Sequence, residues 1–485
     1  MGKSILNNII HLFYSTILAN LLQAVSLIAL ANFFNAQHYG MFSVAIAVTF
    51  IMLFFTDLGL TNTFLREGAK DGVDLGKILS SYIKIRRIIL IFISIIGYIA
   101  IHYMYADRNV IYMMINVMFF MLIGLIFQNI GITYFQLMER MKYIALIKVV
   151  SASVVIIITC FCIFGELPVY VTARLYAFGY MIGGLFSIYI MRKKTKMNMK
   201  VVIHKALFWQ LTPFIISGFL IMSTPQLAPI LLNYTLPLSM VGVFAVAYRM
   251  PAALYQVPGV IAGAFYPVLF KHYNQKNLEE HTKLNLLQIK SMAIVGICMT
   301  IGLYYLAPYF TSIYFHEEWS NAVEPLQILS FLIVLQSLNI AIADGLTTSG
   351  RQNKRTVVQC IALVIGGIML YSFSSIGGVI GAAYAMVLFE IVALVGYIAV
   401  SVVRKKIVFQ IVIPYTSYFG VTFIGVQYML HTYHFIALVL NTLIVVVGIF
   451  LYDYELEKTS SFVYNKNIPK TIILRNRGYS IWKII

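Results

Sequence analysis

Five ionisable side chains fall inside long apolar runs of the sequence: Asp57, Arg174, Arg249, Asp344 and Glu390. A charge at mid-bilayer costs about 2.5–3.5 kcal/mol on insertion scales, so each needs a partner or a task. Arg249 stands about ten residues into its run, roughly 15 Å from the nearer end at 1.5 Å per residue. That is too deep for its stem to reach water easily. Tyr248 adjoins it, and Tyr255 and Gln256 share part of its helical face. A guanidinium so placed can hold an anion bidentately while phenol and amide groups meet ligand hydroxyls. The competing reading is an ion pair with Glu390, also near mid-depth. Glu390 could equally be a protonation site. Arg174 lies nearer a run's end, where it can line a cavity or extend to headgroups. Asp57 and Asp344 sit near the inner ends of their runs, where capping or pairing with basic loops is the expected role.

Other polar and proline residues mark the same region. Asn20 and Gln23 share one face of the first run. The seventh run carries Pro213, Pro225, Pro229 and Gln226, and the eighth carries Pro251, Pro258 and Pro267. Proline removes a backbone donor and kinks a helix, which membranes tolerate where a segment lines a cavity or hinges. Two adjacent runs of this kind point to a moving gate, with Pro213 and Pro225 as hinges. Asn20, Gln23 and Gln226 join Arg249, Arg174, Tyr248, Tyr255 and Gln256 as candidate ligand contacts. Glu390 and Asp57 are the candidate coupling groups.

The elements that must position these residues follow from composition. The chain has 485 residues, 61% hydrophobic and 11% charged, with a mean hydropathy of +0.87. Soluble chains carry about 45–50% apolar and 25% charged residues, so a soluble enzyme is excluded. The apolar residues suffice for about fourteen spans at about 20 each. The runs fall near 12–34, 39–62, 86–105, 110–133, 143–164, 169–190, 208–232, 240–268, 285–307, 322–345, 356–374, 379–400, 409–429 and 434–452. They are continuous rather than alternating, which excludes barrel strands. The first is too long for a signal peptide and is expected to remain as a span.

Charge sets the orientation. With the N-terminus in the cytoplasm, 32 of the 35 Lys and Arg residues fall on the inner side. Arg108 alone lies outside, and Arg174 and Arg249 lie within spans. Both termini are therefore expected in the cytoplasm. The net charge of +18 then reflects inner loops, not nucleic acid. The outer loops are short and lean acidic, and an Asn233-Tyr234-Thr235 sequon falls in one by chance. The four cysteines sit in apolar runs and are expected to be packing residues.

An internal repeat organises the runs. Gly40-Met41-Phe42-Ser43-Val44-Ala45 opens the second, and Gly242-Val243-Phe244-Ala245-Val246-Ala247 opens the eighth. Six runs separate them, an even number, so the halves run parallel. The expected fold is an all-α polytopic membrane protein of fourteen transmembrane helices. It comprises two six-helix bundles in a pseudo-twofold V, residues 1–200 and 201–403, two further helices at 404–455, and a basic tail at 456–485.

This layout, with Asp57-Leu58-Gly59-Leu60 ending the second run and Glu139-Arg140-Met141-Lys142-Tyr143 after the fourth, resembles a known family. It is similar to the Wzx-type O-antigen and capsule-repeat flippases of the multidrug/oligosaccharidyl-lipid/polysaccharide exporter superfamily. The resemblance implies export of an undecaprenyl-pyrophosphate-linked oligosaccharide from the inner to the outer leaflet of a bacterial cytoplasmic membrane. It implies alternating access, and as partners a polysaccharide polymerase, a chain-length regulator and membrane lipids. The anion at Arg249 would then be the pyrophosphate.

No cofactor or metal is expected. The nine histidines lack zinc spacing, and Gly377-Gly378 reads as close helix packing. A glycosyltransferase or polymerase needs a large outer loop, and the longest here has about 15 residues. A drug/cation antiporter of the same superfamily is the alternative, but Arg174 and Arg249 would repel a cationic drug. A lipid II flippase remains open within the leading class.

Overall fold

The computed structural model describes residues 2–68, 74–138, 140–194, 204, 207, 212–314, 317–430 and 433–466. Among these the regular structure is helical and no strand occurs. The first eight helices are α1 (Gly2–Phe33), α2 (Ala36–Asp57), α3 (Leu60–Gly68), α4 (Leu75–Met104), α5 (Arg108–Leu137), α6 (Met141–Phe164), α7 (Val169–Lys194) and α8 (Thr212–Thr235). There follow α9 (Leu238–Leu254), α10 (Gln256–Asn274), α11 (Leu278–Tyr314), α12 (Val323–Thr348), α13 (Gln352–Val400), α14 (Arg404–Ile407), α15 (Ile413–Leu430) and α16 (His434–Lys466). Glu139 and the tail beyond Lys466 lie outside the described residues.

Among the described residues, twelve helical segments are long and apolar enough to cross a membrane. The protein is thus a multi-pass membrane protein. Two differences separate twelve from the fourteen apolar runs. The seventh run forms α8, which is not among the twelve. The eleventh and twelfth share α13, whose 49 residues would reach about 74 Å at 1.5 Å each. That is over twice a hydrocarbon core of about 30 Å. Gly378 breaks α13 with φ 60° and ψ −139°, a backbone that glycine adopts without a Cβ clash.

Local chemistry sets the helix ends. Asn35 caps α2 by accepting from the His38 N–H at 2.8 Å. Asp74 caps α4 through Lys77 N–H, and Asp107 caps α5 through Asn109 N–H. Asp107, an acidic residue of the expected outer loops, therefore has a structural task. The Lys77 amide bond holds the Asp74 carboxyl below its usual range. The sequon asparagine is also engaged, since Asn233 Nδ2 donates to Tyr105 Oη at 2.6 Å.

Packing divides the chain into two units. The first contains Met1–Arg249, Ser312–Ala322 and Leu363–Ala385. The second contains Met250–Thr311, Val323–Ala362 and Met386–Ile485. In the second, one apolar core joins α10, α11, α12 and the end of α13 to α15 and α16. Lys290 Nζ pairs with Asp453 at 2.6 Å, and Tyr415 Oη donates to the same carboxylate at 2.7 Å. These polar ties fix the last two long helices to α11.

Candidate functional site

Arg249 is half-buried on α9 in the first unit. The groups that act on its guanidinium are three phenols: Tyr39 of α2, and Tyr176 and Tyr180 of α7. Tyr39 is fully buried, and Tyr176 and Tyr180 nearly so. The two α7 hydroxyls lie 3.3 Å apart. The Tyr39 hydroxyl interacts with the Arg249 guanidinium, although no contact among the described residues meets full hydrogen-bond geometry at that hydroxyl. Ser43 Oγ, one turn along α2, is buried and unpartnered among the described residues. A buried polar group without a partner costs about 1–3 kcal/mol. A ligand carrying both anionic and hydroxyl groups would relieve that penalty at Ser43 and pair with the guanidinium.

Aromatic rings hold the phenols in place. Trp319, from the turn Glu317–Ala322, meets Tyr39 edge-on at 5.9 Å. Phe42 meets Tyr176 edge-on at 5.1 Å. Tyr248 stacks on Phe244 at 6.0 Å and belongs to the wall of α9.

The other candidates are dispersed. Tyr255 forms the turn between α9 and α10, and Gln256 begins α10. Both belong to the second unit, so the helical face they were expected to share with Arg249 is interrupted. Pro251, which cannot donate to the preceding turn, stands just before that break. Arg174 Nη1 donates to Tyr112 Oη of α5 at 3.2 Å. Asn20 and Gln23 are half-buried on α1, and Gln226 is half-buried on α8. Pro213 and Pro225 lie in α8, but their side chains fall outside the described residues.

Glu390 belongs to the second unit and has partners of its own. Gln336 Nε2 donates to its Oε1 at 2.8 Å, and Asn339 Nδ2 to its Oε2 at 2.7 Å. Asp344 accepts from Gln288 Nε2 at 2.8 Å. The same unit holds an apolar cavity of about 220 Å³ lined by residues such as Ile297, Phe331, Leu338 and Phe419. It offers no polar group to a sugar or a diphosphate.

Asp57 anchors a cluster that the sequence did not expose. Arg86 Nη1 donates to Tyr82 Oη at 2.8 Å and lies 3.4 Å from Asp57 Oδ1. Thr61 Oγ1 donates to Asp57 Oδ1 at 2.5 Å and lies 2.9 Å from Tyr82 Oη. The four side chains close a polar ring at the elbow between α2 and α3. Leu58 and Gly59 turn that elbow with φ 43° and 80°, so the Asp57-Leu58-Gly59-Leu60 motif is a left-handed helix stop. Arg86 is 0% exposed, and its Nε and Nη2 have no described partner. It counts among the inner-loop charges by sequence, yet it sits inside α4. Pairing with a basic residue is the role expected for Asp57, although the cation belongs to a helix, not a loop.

Comparison with known proteins now places the fold. A lipid II flippase, MurJ, in an inward closed conformation superposes with a TM-score of 0.71. The match covers 93% of this chain and 99% of that one at 15% identity. An inward-facing multidrug resistance MATE transporter of the MOP superfamily gives 0.66, covering 79% and 93% at 18% identity. The chain shares the fold of these two structures. Residues 5–273 match the family described as "Polysaccharide biosynthesis protein", and the chain belongs to that family. A Shigella dysenteriae protein named "Putative O-antigen transporter" is 26% identical over 249 residues. That alignment covers 49% of this chain and 60% of the relative. The chain is thus a multi-pass membrane protein of the polysaccharide biosynthesis family with the fold of these two transporters.

Proposed function

We propose that the protein carries a polyprenyl-pyrophosphate-linked oligosaccharide repeat from the inner to the outer leaflet of a bacterial cytoplasmic membrane. The step serves surface-polysaccharide biosynthesis, and a polymerase acting outside consumes the product. The observation that carries this reading is Arg249, a cation on a membrane helix whose interacting groups among the described residues are phenols and not a carboxylate. The pyrophosphate supplies the missing counter-charge, and the phenols meet phosphate oxygens and sugar hydroxyls. Both termini lie in the cytoplasm in this reading, and residues 1–200 and 201–403 form the two halves that alternate. An anion leaving a negative-inside cell gains about 2.3 kcal/mol per charge per 100 mV, so the membrane potential can drive export.

Deletion of the gene tests the proposal. Surface polysaccharide should vanish, and lipid-linked repeat units should accumulate with their sugars facing the cytoplasm. Unchanged surface polysaccharide would overturn it, and a peptidoglycan defect instead would point to lipid II. In the same assay, Pro213→Ala with Pro225→Ala should slow transport severalfold at unchanged membrane level, because α8 loses its hinge. Transport at the wild-type rate would reduce these prolines to packing features.

A further inference from the structure

The two copies of the repeated motif touch each other. Gly40 lies near the start of α2 and Gly242 near the start of α9, both in the first unit. A Cβ added to Gly40 would lie 3.0 Å from the Gly242 backbone N and overlap the Leu238 carbonyl. A Cβ added to Gly242 would lie 3.0 Å from the Gly40 N and overlap the Ala36 carbonyl. Each copy thus makes the contact that the other makes, as expected of elements meeting across a two-fold relation. Backbone meets backbone, an approach that a side chain on either residue would block. Phe42, Val44, Val241 and Phe244, all within four residues of one of the two glycines, are buried.

We infer that the Gly40–Gly242 crossing is the outer seal of the transport route and that its opening releases the ligand held at Arg249. The inference rests on the transport and orientation readings proposed above, which place the starts of α2 and α9 at the outer face. The seal and the cation cage share the same two helices. Tyr39 directly precedes Gly40 on α2, and Arg249 follows Gly242 by two turns on α9, about 10 Å at 1.5 Å per residue. Separating the helices at the glycines draws Arg249 away from Tyr39, so the state of the seal and the grip on an anion change together. Trp319 packs on Tyr39 and must move with it. The contact uses no side chain, so any side chain placed there acts as a wedge.

The test uses a variant in which Cys160, Cys162, Cys298 and Cys360 are replaced and Ser43→Cys supplies a probe one turn past Gly40. Ser43 is 2% exposed. A membrane-impermeant maleimide added to intact cells should label it slowly while both glycines are present. Gly40→Val or Gly242→Val should raise the labelling rate at least tenfold, and the Ala variants should raise it less. Labelling at the parent rate, with the variants inserted at the parent level, would overturn the seal. The Ala variants need less room and carry the test if a Val variant fails to insert. Probes at Glu166→Cys and Lys194→Cys check orientation separately, the first labelled in every background and the second in none. A reversed pattern would overturn the orientation, and the seal with it.

Discussion

Arg249→Ala should abolish surface polysaccharide at matched membrane level. Removing one partner of a buried charge-assisted contact costs about 2–5 kcal/mol, which is at least about 30-fold in binding. Arg249→Lys keeps the charge but loses the planar two-pronged fork, so a loss of about tenfold is expected, in line with one charged hydrogen bond of about 1.5–3 kcal/mol. The order wild type, Lys, Ala is the signature of an anion grip. An ion pair with Glu390 predicts a different result, namely that Glu390→Ala rescues Arg249→Ala by removing the stranded carboxylate. The observed partners argue against rescue, since Glu390 is held by Gln336 and Asn339 and Arg249 by Tyr39, Tyr176 and Tyr180. Rescue in the double variant would make Arg249 a structural residue.

Asp57→Ala should be the most destabilising single change at the α2–α3 elbow. It strands the guanidinium of Arg86, which is wholly buried and already short of partners. Breaking a buried pair from one side costs about 3–5 kcal/mol. Arg86→Met should cost less, because it removes the buried charge and leaves Asp57, 25% exposed, still bonded to Thr61. The double variant should be more stable than Asp57→Ala alone. Thermal unfolding of the purified proteins in detergent reads this order. Equal loss from both single changes would show that the ring acts through shape and not through charge.

The sequence made the membrane class and the helical fold legible, because continuous apolar runs report them directly. It misplaced Arg86, because α4 begins at Leu75, well before the apolar run. Its first three turns carry Lys77, Ser80, Ser81 and Lys84, which hydropathy reads as loop even though Ser80 and Ser81 are buried. The Asp74 cap was the available signal. Arg249 was legible as a deep charge, but its cage was not. Tyr39, Tyr176 and Tyr180 are three of 33 tyrosines, and no spacing singles them out. Tyr255 and Gln256 share a face with Arg249 only on one unbroken helix, which the turn at Tyr255 interrupts. The repeat of Gly40 and Gly242 was visible as sequence, while their mutual contact exists only in three dimensions.

On the function proposed above, this chain moves a diphosphate-linked sugar across a bilayer by means of Arg249. Purified protein in liposomes, given a fluorescent polyprenyl-diphosphate oligosaccharide and a membrane-impermeant quencher, tests it most directly. Wild-type protein should equilibrate the label between leaflets, and Arg249→Ala, inserted to the same level, should leave one leaflet protected. Equal transfer by both proteins, or none by the wild type under an imposed potential, would contradict the claim.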